Sequence, residues 1–306
     1  MSRGLLIALV SAALFGTSGA FAKSLIEAGW SPGATVTLRV VLATLVLAGP
    51  VVWSLRGRWD ALRAHANLLV AYGVIAVAGV QVGYFYAVSR LSVGVALLLE
   101  YLAPVLLVGW LWARSGRRPT RLTLIGAAVS VGGLVLVLDL TGSVRLDLVG
   151  VAWGLGAAVC LVVYFVLSAR PVDDLDPLVM AGAGMAVAAV CLGSLALAGL
   201  LPFRAAAVDV SFAGSTVPWW VPLVGLVLLG TVAAYATGID ASRRLGARLA
   251  AFVALSEVLF AIALAWLILD ELPLPIQLAG GALIVVGIGC VRYDELVAGR
   301  VPVPQG

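Results

Sequence analysis

The chain has 306 residues, of which 63% are hydrophobic and only 11% charged, with 35 glycines, one histidine and a net charge of +4. Its mean hydropathy is +1.14. Soluble domains carry roughly twice that charge and far fewer apolar residues, so soluble enzymes, nucleic-acid modules and disordered chains are excluded. At about 20 apolar residues per membrane-spanning helix, the composition supplies about ten spans.

Apolar runs of that length recur along the chain, separated by short polar breaks. They predict helices over residues 4–22, 34–55, 68–88, 93–113, 121–139, 147–168, 178–200, 218–239, 246–269 and 275–292. Helices are required because lipid offers no partner for backbone N–H and C=O groups. The apolar stretch after Ser2-Arg3 is read as a retained first span, because spans of the same quality follow at once. Gly79-x-x-x-Gly83 and Gly150-x-x-x-Gly154 have the spacing that lets helices approach closely. Trp30, Trp53, Trp59, Trp112, Trp219, Trp220 and Trp266 fall near predicted ends, where an interfacial aromatic belt is expected.

The basic residues are expected to orient the chain. With a cytoplasmic N-terminus, the inside holds Arg3, Arg56, Arg58, Arg63, Arg114, Arg117, Arg118, Arg121, Arg170, Arg243, Arg244, Arg248, Arg292 and Arg300. The outside holds Lys23, Arg90, Arg145 and Arg204, and Arg39 falls within a span. Fourteen against four predicts both termini inside a plasma or inner membrane. The charge is thus a topology signal, and no nucleic-acid partner is expected. Cys160, Cys191 and Cys290 lie singly in apolar runs and read as small apolar side chains. His65 lies in a polar loop. No metal-ligand cluster and no Gly-x-x-x-x-Gly-Lys-Ser/Thr motif occurs, so neither a metal, a cofactor nor ATP is expected.

Residues 91–138 align without gaps on 245–292, an offset of 154. The matches include Leu91/Leu245, Ala96/Ala250, Trp112/Trp266, Pro119/Pro273, Gly126/Gly280 and Gly133/Gly287. The expected domains are therefore 1–140, with the first five helices, and 147–300, with the last five. Five is odd, so the second half enters the bilayer inverted. Inverted repeats are typical of secondary transporters, whose substrate site lies between the halves near the midplane. The fold expected is all-α, a polytopic membrane protein of ten helices in two inverted five-helix repeats.

Several segments resemble the EamA family of the drug/metabolite transporter superfamily. They are Ala12-Ala13-Leu14-Phe15-Gly16-Thr17, Thr37-Leu38-Arg39, Glu100-Tyr101-Leu102-Ala103-Pro104, Leu255-Ser256-Glu257 and Asp270-Glu271. The second repeat departs from the pattern, with Val258 where the first has Pro104. The resemblance spans essentially the whole chain. It implies a ten-helix carrier, often an exporter of amino acids or other small metabolites. The partners expected are a small-molecule substrate and the lipid bilayer. A monomer and a homodimer both stay open.

Ionisable groups inside spans are costly and mark function by default. Here they are Arg39, Glu100 and Glu257. Glu257 lies eleven residues into its span, roughly 16 Å at 1.5 Å per residue, near the midplane. It is a candidate to carry a proton or to bind a substrate ammonium. Its aligned partner is Ala103, three residues beyond Glu100, so the two glutamates occupy nearly equivalent places and both are expected to face the cavity. Arg39 is a candidate for a pair with Glu100 or for a substrate carboxylate. Tyr84, Tyr101, Gln81 and Trp153 are candidate pocket residues, with Phe15, Tyr86 and Tyr164 as further aromatics. Pro104 removes a backbone hydrogen bond and is a candidate hinge. Asp270 and Glu271 read as a helix end in water, and Asp173, Asp174 and Asp176 as a solvated loop. Against a secondary carrier stand a membrane-embedded lipid-modifying enzyme, for which the loops are too short and histidine too scarce, and a non-transporting scaffold or sensor.

Overall fold

The computed structural model describes residues 3–57, 59–88, 90–91, 93–116, 118–137, 147–172, 175–269 and 274–297. Arg58, Arg117, Arg145, Asp173, Asp174, Asp270, Glu271 and Arg300, each read above, lie outside them.

Each predicted apolar run is helical among the described residues. α1 covers Arg3–Glu27 and α2 Pro32–Ser54. Ser31 caps α2 by accepting from the Ala34 N–H at 3.2 Å, and Pro32 opens the helix where a missing N–H costs nothing. After a short α3 (Trp59–Ala64), one continuous span comprises α4 (Ala66–Ala71), a π-helical stretch Tyr72–Gly79 and α5 (Val80–Val88). α6 (Val93–Glu100) and α7 (Ala103–Ser115) form the fourth span, broken in its middle. α8 (Arg121–Val137), α9 (Leu148–Ser168) and α10 (Pro177–Leu197) follow. A two-stranded antiparallel hairpin, β1 (Val210–Phe212) and β2 (Ser215–Val217), comes next. Sequence reading placed no strand there. Its two-residue turn has Ala213 at φ 52 and Gly214 at φ 71, the handedness that matches strand twist.

α11 (Trp220–Val227), a second π-helical stretch Leu228–Ala233, and α12 (Ala234–Ala254) then run on. Gly246, at φ 77 and ψ 159, interrupts α12 and divides the eighth predicted run from the ninth. α13 (Ser256–Leu269) and α14 (Pro275–Val297) are the last described elements. Among the described residues, eight helical segments are long and apolar enough to cross a membrane, and Arg121–Val137 is a shorter apolar helix.

The irregularities recur. The π-helical stretches at 72–79 and 228–233, and the breaks at 101–102 and 255, are separated by about the same 154 residues as the aligned sequences. The packing recurs with the halves exchanged. α8 lies on α14, with Gly126 against Gly287 and Gly133 against Gly280. Each glycine thus meets the counterpart of the other, and the two helices run antiparallel. Gly4 approaches Arg244 and Leu245, while Gly150 approaches Arg90 and Leu91, the counterparts of that pair. α2 packs on α10, α1 on α12 and α13, and α9 on α5 and α6.

A main apolar core, including Tyr72, Leu107, Met180, Phe252 and Leu249, fills the end of the bundle where α1 begins and extends to mid-height. A smaller core around Leu25, Trp30 and Leu226 closes the opposite end beneath the hairpin. There Trp30 donates its indole N–H to the Ala206 carbonyl at 2.6 Å, and the Ser31 N–H donates to the Arg204 carbonyl at 2.8 Å. Trp30 is therefore buried rather than interfacial, whereas Trp53, Trp59, Trp112, Trp220 and Trp266 are exposed on the bundle surface. The three cysteines are free and half-buried.

Candidate functional site

The two chain breaks build the site. Pro104 has no N–H to give to the Glu100 carbonyl, four residues earlier, and its ring crowds that carbonyl. The helix opens just before it: Leu102 N–H bonds Leu99 O instead, and Leu106 N–H restarts the helix on Leu102 O. Glu100 therefore ends α6, and Tyr101 sits in the gap. The second break has no proline. There the Ser256 hydroxyl donates to the Val253 carbonyl at 2.6 Å, a local bond that competes with the helix ladder. α13 restarts at Ser256, which puts Glu257 in its first turn.

Gly16 brings α1 against that turn. A Cβ there would stand 3.0 Å from the Ala261 nitrogen and 3.1 Å from the Glu257 carbonyl oxygen. On either side of Gly16, the Ser11 hydroxyl donates to the Ala234 carbonyl (2.9 Å) and Ser18 to the Gly230 carbonyl (3.1 Å). These serines hold the irregular α11–α12 region, where the widened helix leaves carbonyls accessible.

Arg39, in the first third of α2, comes within electrostatic range of both glutamates. All three are half-buried, and the Arg39 Nε, buried, meets no hydrogen-bond partner among the described residues. The Tyr101 hydroxyl lies beside the Glu257 carboxylate, and Tyr84 faces both glutamates. Gln81 lies beside Tyr235, which also faces Arg39. Arg39, Glu100, Glu257, Tyr84, Tyr101 and Gln81 thus come together. Trp153 does not join them: it is 39% exposed and stacks on Tyr86, centroids 4.8 Å apart, while the Tyr86 hydroxyl donates to the Leu200 carbonyl. Phe15 reaches the cluster's edge through Tyr235, centroids 5.0 Å apart. Sequence reasoning missed Tyr235. The offset of 154 pairs it with Gln81, so the repeat contained the signal. No group of His, Cys, Asp and Glu suited to a metal occurs among the described residues.

Chemically, a guanidinium and two carboxylates beside tyrosine hydroxyls form a small polar site inside an apolar helix bundle. Apolar spans in this number, bent around such a site, define a multi-pass membrane transporter. Residues 2–139 and 148–293 match the EamA-like transporter family, and the chain belongs to it. It is 30% identical over 291 residues to the threonine/homoserine exporter RhtA of Escherichia coli (strain K12), across 93% of this chain and 90% of that protein. It is 25% identical over 278 residues to the uncharacterized inner membrane transporter YicL of Salmonella typhimurium (strain LT2), across 87% of each. A solved crystal structure shares the fold at a TM-score of 0.76 and 22% identity, over 98% of this chain and 99% of its own.

Proposed function

We propose that the protein is a secondary carrier exporting a small amino acid by alternating access, with both termini on the cytoplasmic side of the inner membrane. The observation that carries this is the convergence of Arg39, Glu100 and Glu257 at two helix breaks. A zwitterion presents one carboxylate and one ammonium. Arg39, whose fork has a free nitrogen, suits the carboxylate. Glu257 or Glu100 suits the ammonium or, alternately, a proton. The exchanged packing of the halves supports the division into repeats 1–140 and 147–300, with the site between them. The similarity to a threonine/homoserine exporter favours a small hydroxylated amino acid.

Proteoliposomes preloaded with labelled threonine test this. Wild-type protein releases label, and an imposed pH gradient accelerates release. Glu257→Gln lowers gradient-driven release at least tenfold, while Glu257→Asp retains part of it. Release by Glu257→Gln that still follows the gradient would remove Glu257 from proton coupling. Absence of threonine release by wild-type protein would remove that substrate.

A further inference from the structure

Between the polar site and the end of the bundle where α1 begins lies a second group of buried hydroxyls. Tyr72 is 0% exposed, Tyr164 5% and Ser168 0%. Tyr72 and Tyr164 both approach Ser168. Yet none of the three oxygens meets a partner in hydrogen-bonding geometry among the described residues. A buried hydroxyl without a partner is unfavourable, and replacing it by hydrogen is ordinarily neutral or stabilising. Three together in an otherwise apolar core require an explanation.

Their placement supplies one. The Tyr72 and Tyr164 rings stand 5.9 Å apart, and Tyr164 and Tyr235 5.8 Å. Tyr235 touches the polar site through Gln81 and faces Arg39, Glu100 and Glu257. At the other end Tyr72 faces Arg243, whose guanidinium donates to the Leu175 carbonyl at 2.7 Å in the loop between α9 and α10. The tyrosines therefore form a polar column from the central site to the bundle end. Gly238 leaves room beside it: a Cβ there would lie 2.6 Å from the Tyr164 hydroxyl and 3.0 Å from Ser11 Oγ. The surrounding apolar side chains close the column in this conformation.

We infer that Tyr72, Tyr164 and Ser168 form the closed inner half of the substrate path, a binding station for the hydroxyl and ammonium groups of an amino acid passing between the cytoplasm and the central site. This rests on the exporter reading above. In the closed state the hydroxyls lack partners because their partner is absent. When this end opens, water and substrate satisfy them, and Arg243 attracts the carboxylate of an arriving zwitterion.

Two measurements test it. In a background with Cys160, Cys191 and Cys290 changed to alanine, Ser168→Cys should react with a membrane-impermeant thiol reagent applied from the side of the termini and not from the other. Ser115→Cys, on the exposed end of α7, serves as the positive control. No reaction from the terminal side, with the control labelled, overturns the inference. That readout needs no substrate, so it decides this point even if threonine proves to be the wrong probe. With labelled threonine, Tyr72→Phe and Tyr164→Phe should each raise KM from the terminal side about 3- to 10-fold, with KM from the opposite side and the melting temperature unchanged. Unchanged KM from both sides means that the hydroxyls do not bind substrate, and overturns the assignment. Equal increases from both sides, or a fall in melting temperature, mean a structural role and overturn it too.

Discussion

Glu257 and Glu100 meet opposite ends of helices. Glu257 lies in the first turn of α13, where unsatisfied N–H groups carry partial positive charge, and Glu100 ends α6, where carbonyls carry partial negative charge. Two carboxylates of one site are thus made chemically unlike by backbone alone, which suits them to hold different partners. Arg39 is the common counter-charge. Arg39→Lys preserves the charge but removes the planar fork, so threonine binding should weaken about tenfold or more while protein folding is retained. A binding isotherm in detergent checks this. Trp153→Phe should leave transport within about twofold, because Trp153 stacks on Tyr86 at the bundle surface.

Asp147, just outside α9, permits a pH prediction. Its carboxylate accepts from the Gly150 N–H at 2.8 Å, which with the nearby Arg90 holds its pKa below the usual carboxylate range. A depressed folded pKa means stabilisation present above the unfolded value and lost as pH falls through the folded one. Asp147→Ala should therefore lower the melting temperature at pH 7. The gap from wild type should narrow as pH falls below about 4. A gap independent of pH would mean that the carboxylate's charge contributes nothing beyond what the protonated cap supplies.

At the scale of elements, the α8–α14 contact is the most sharply constrained. A Cβ at Gly133 would stand 2.5 Å from the Gly280 carbonyl oxygen and 2.8 Å from the Ile284 nitrogen, both backbone atoms that cannot move aside alone. Gly132, one residue earlier, has nothing within 4 Å. Gly133→Ala should destabilise by roughly 1–3 kcal/mol through overpacking. Gly132→Ala should be neutral, or stabilise by up to about 1 kcal/mol from helix propensity. Thermal unfolding of the two variants separates the effects of contact and propensity.

The elements also mark what a sequence can and cannot reveal. Composition located the spans, because apolar length is a one-dimensional quantity. The Gly126/Gly280 and Gly133/Gly287 matches were legible, and they are the residues on which α8 and α14 meet. Pro104 announced its break. The break at Leu255 did not: a serine hydroxyl bonds a carbonyl there, and Ser24 makes the same bond within the unbroken α1. The π-helical stretches carry no residue signature at all: in each the ladder shifts, and in the second the Ser18 hydroxyl reaches the Gly230 carbonyl from α1. Arg39, Glu100 and Glu257 stood out through the cost of charge in lipid. Tyr235 did not, because a tyrosine in an apolar run is ordinary until its partner is known.

For the whole molecule, one interaction ties the halves at the end where the chain begins. Asp294, near the close of α14, is 6% exposed. It accepts from the Thr123 hydroxyl of α8 at 2.7 Å and pairs with Arg248 of α12 at 3.8 Å. α8 belongs to the first aligned half, α12 and α14 to the second. Burying this pair has a desolvation cost that offsets most of its attraction, so its net stabilisation is small, whereas replacing Arg248 takes a counter-charge from the buried Asp294 carboxylate. Asp294→Asn should therefore destabilise by about 2 kcal/mol or more, and Arg248→Met by a similar amount. The triple replacement Thr123→Val, Arg248→Met, Asp294→Leu should recover part of that loss, since apolar side chains of similar size remove the buried carboxylate together with the Thr123 and Arg248 groups that face it. Melting temperatures of the three variants decide the matter. A triple variant as unstable as the singles would mean that the ionic contact itself holds the two halves together. Recovery of stability in that variant would instead assign the contact to specificity, fixing which surfaces of α8, α12 and α14 meet.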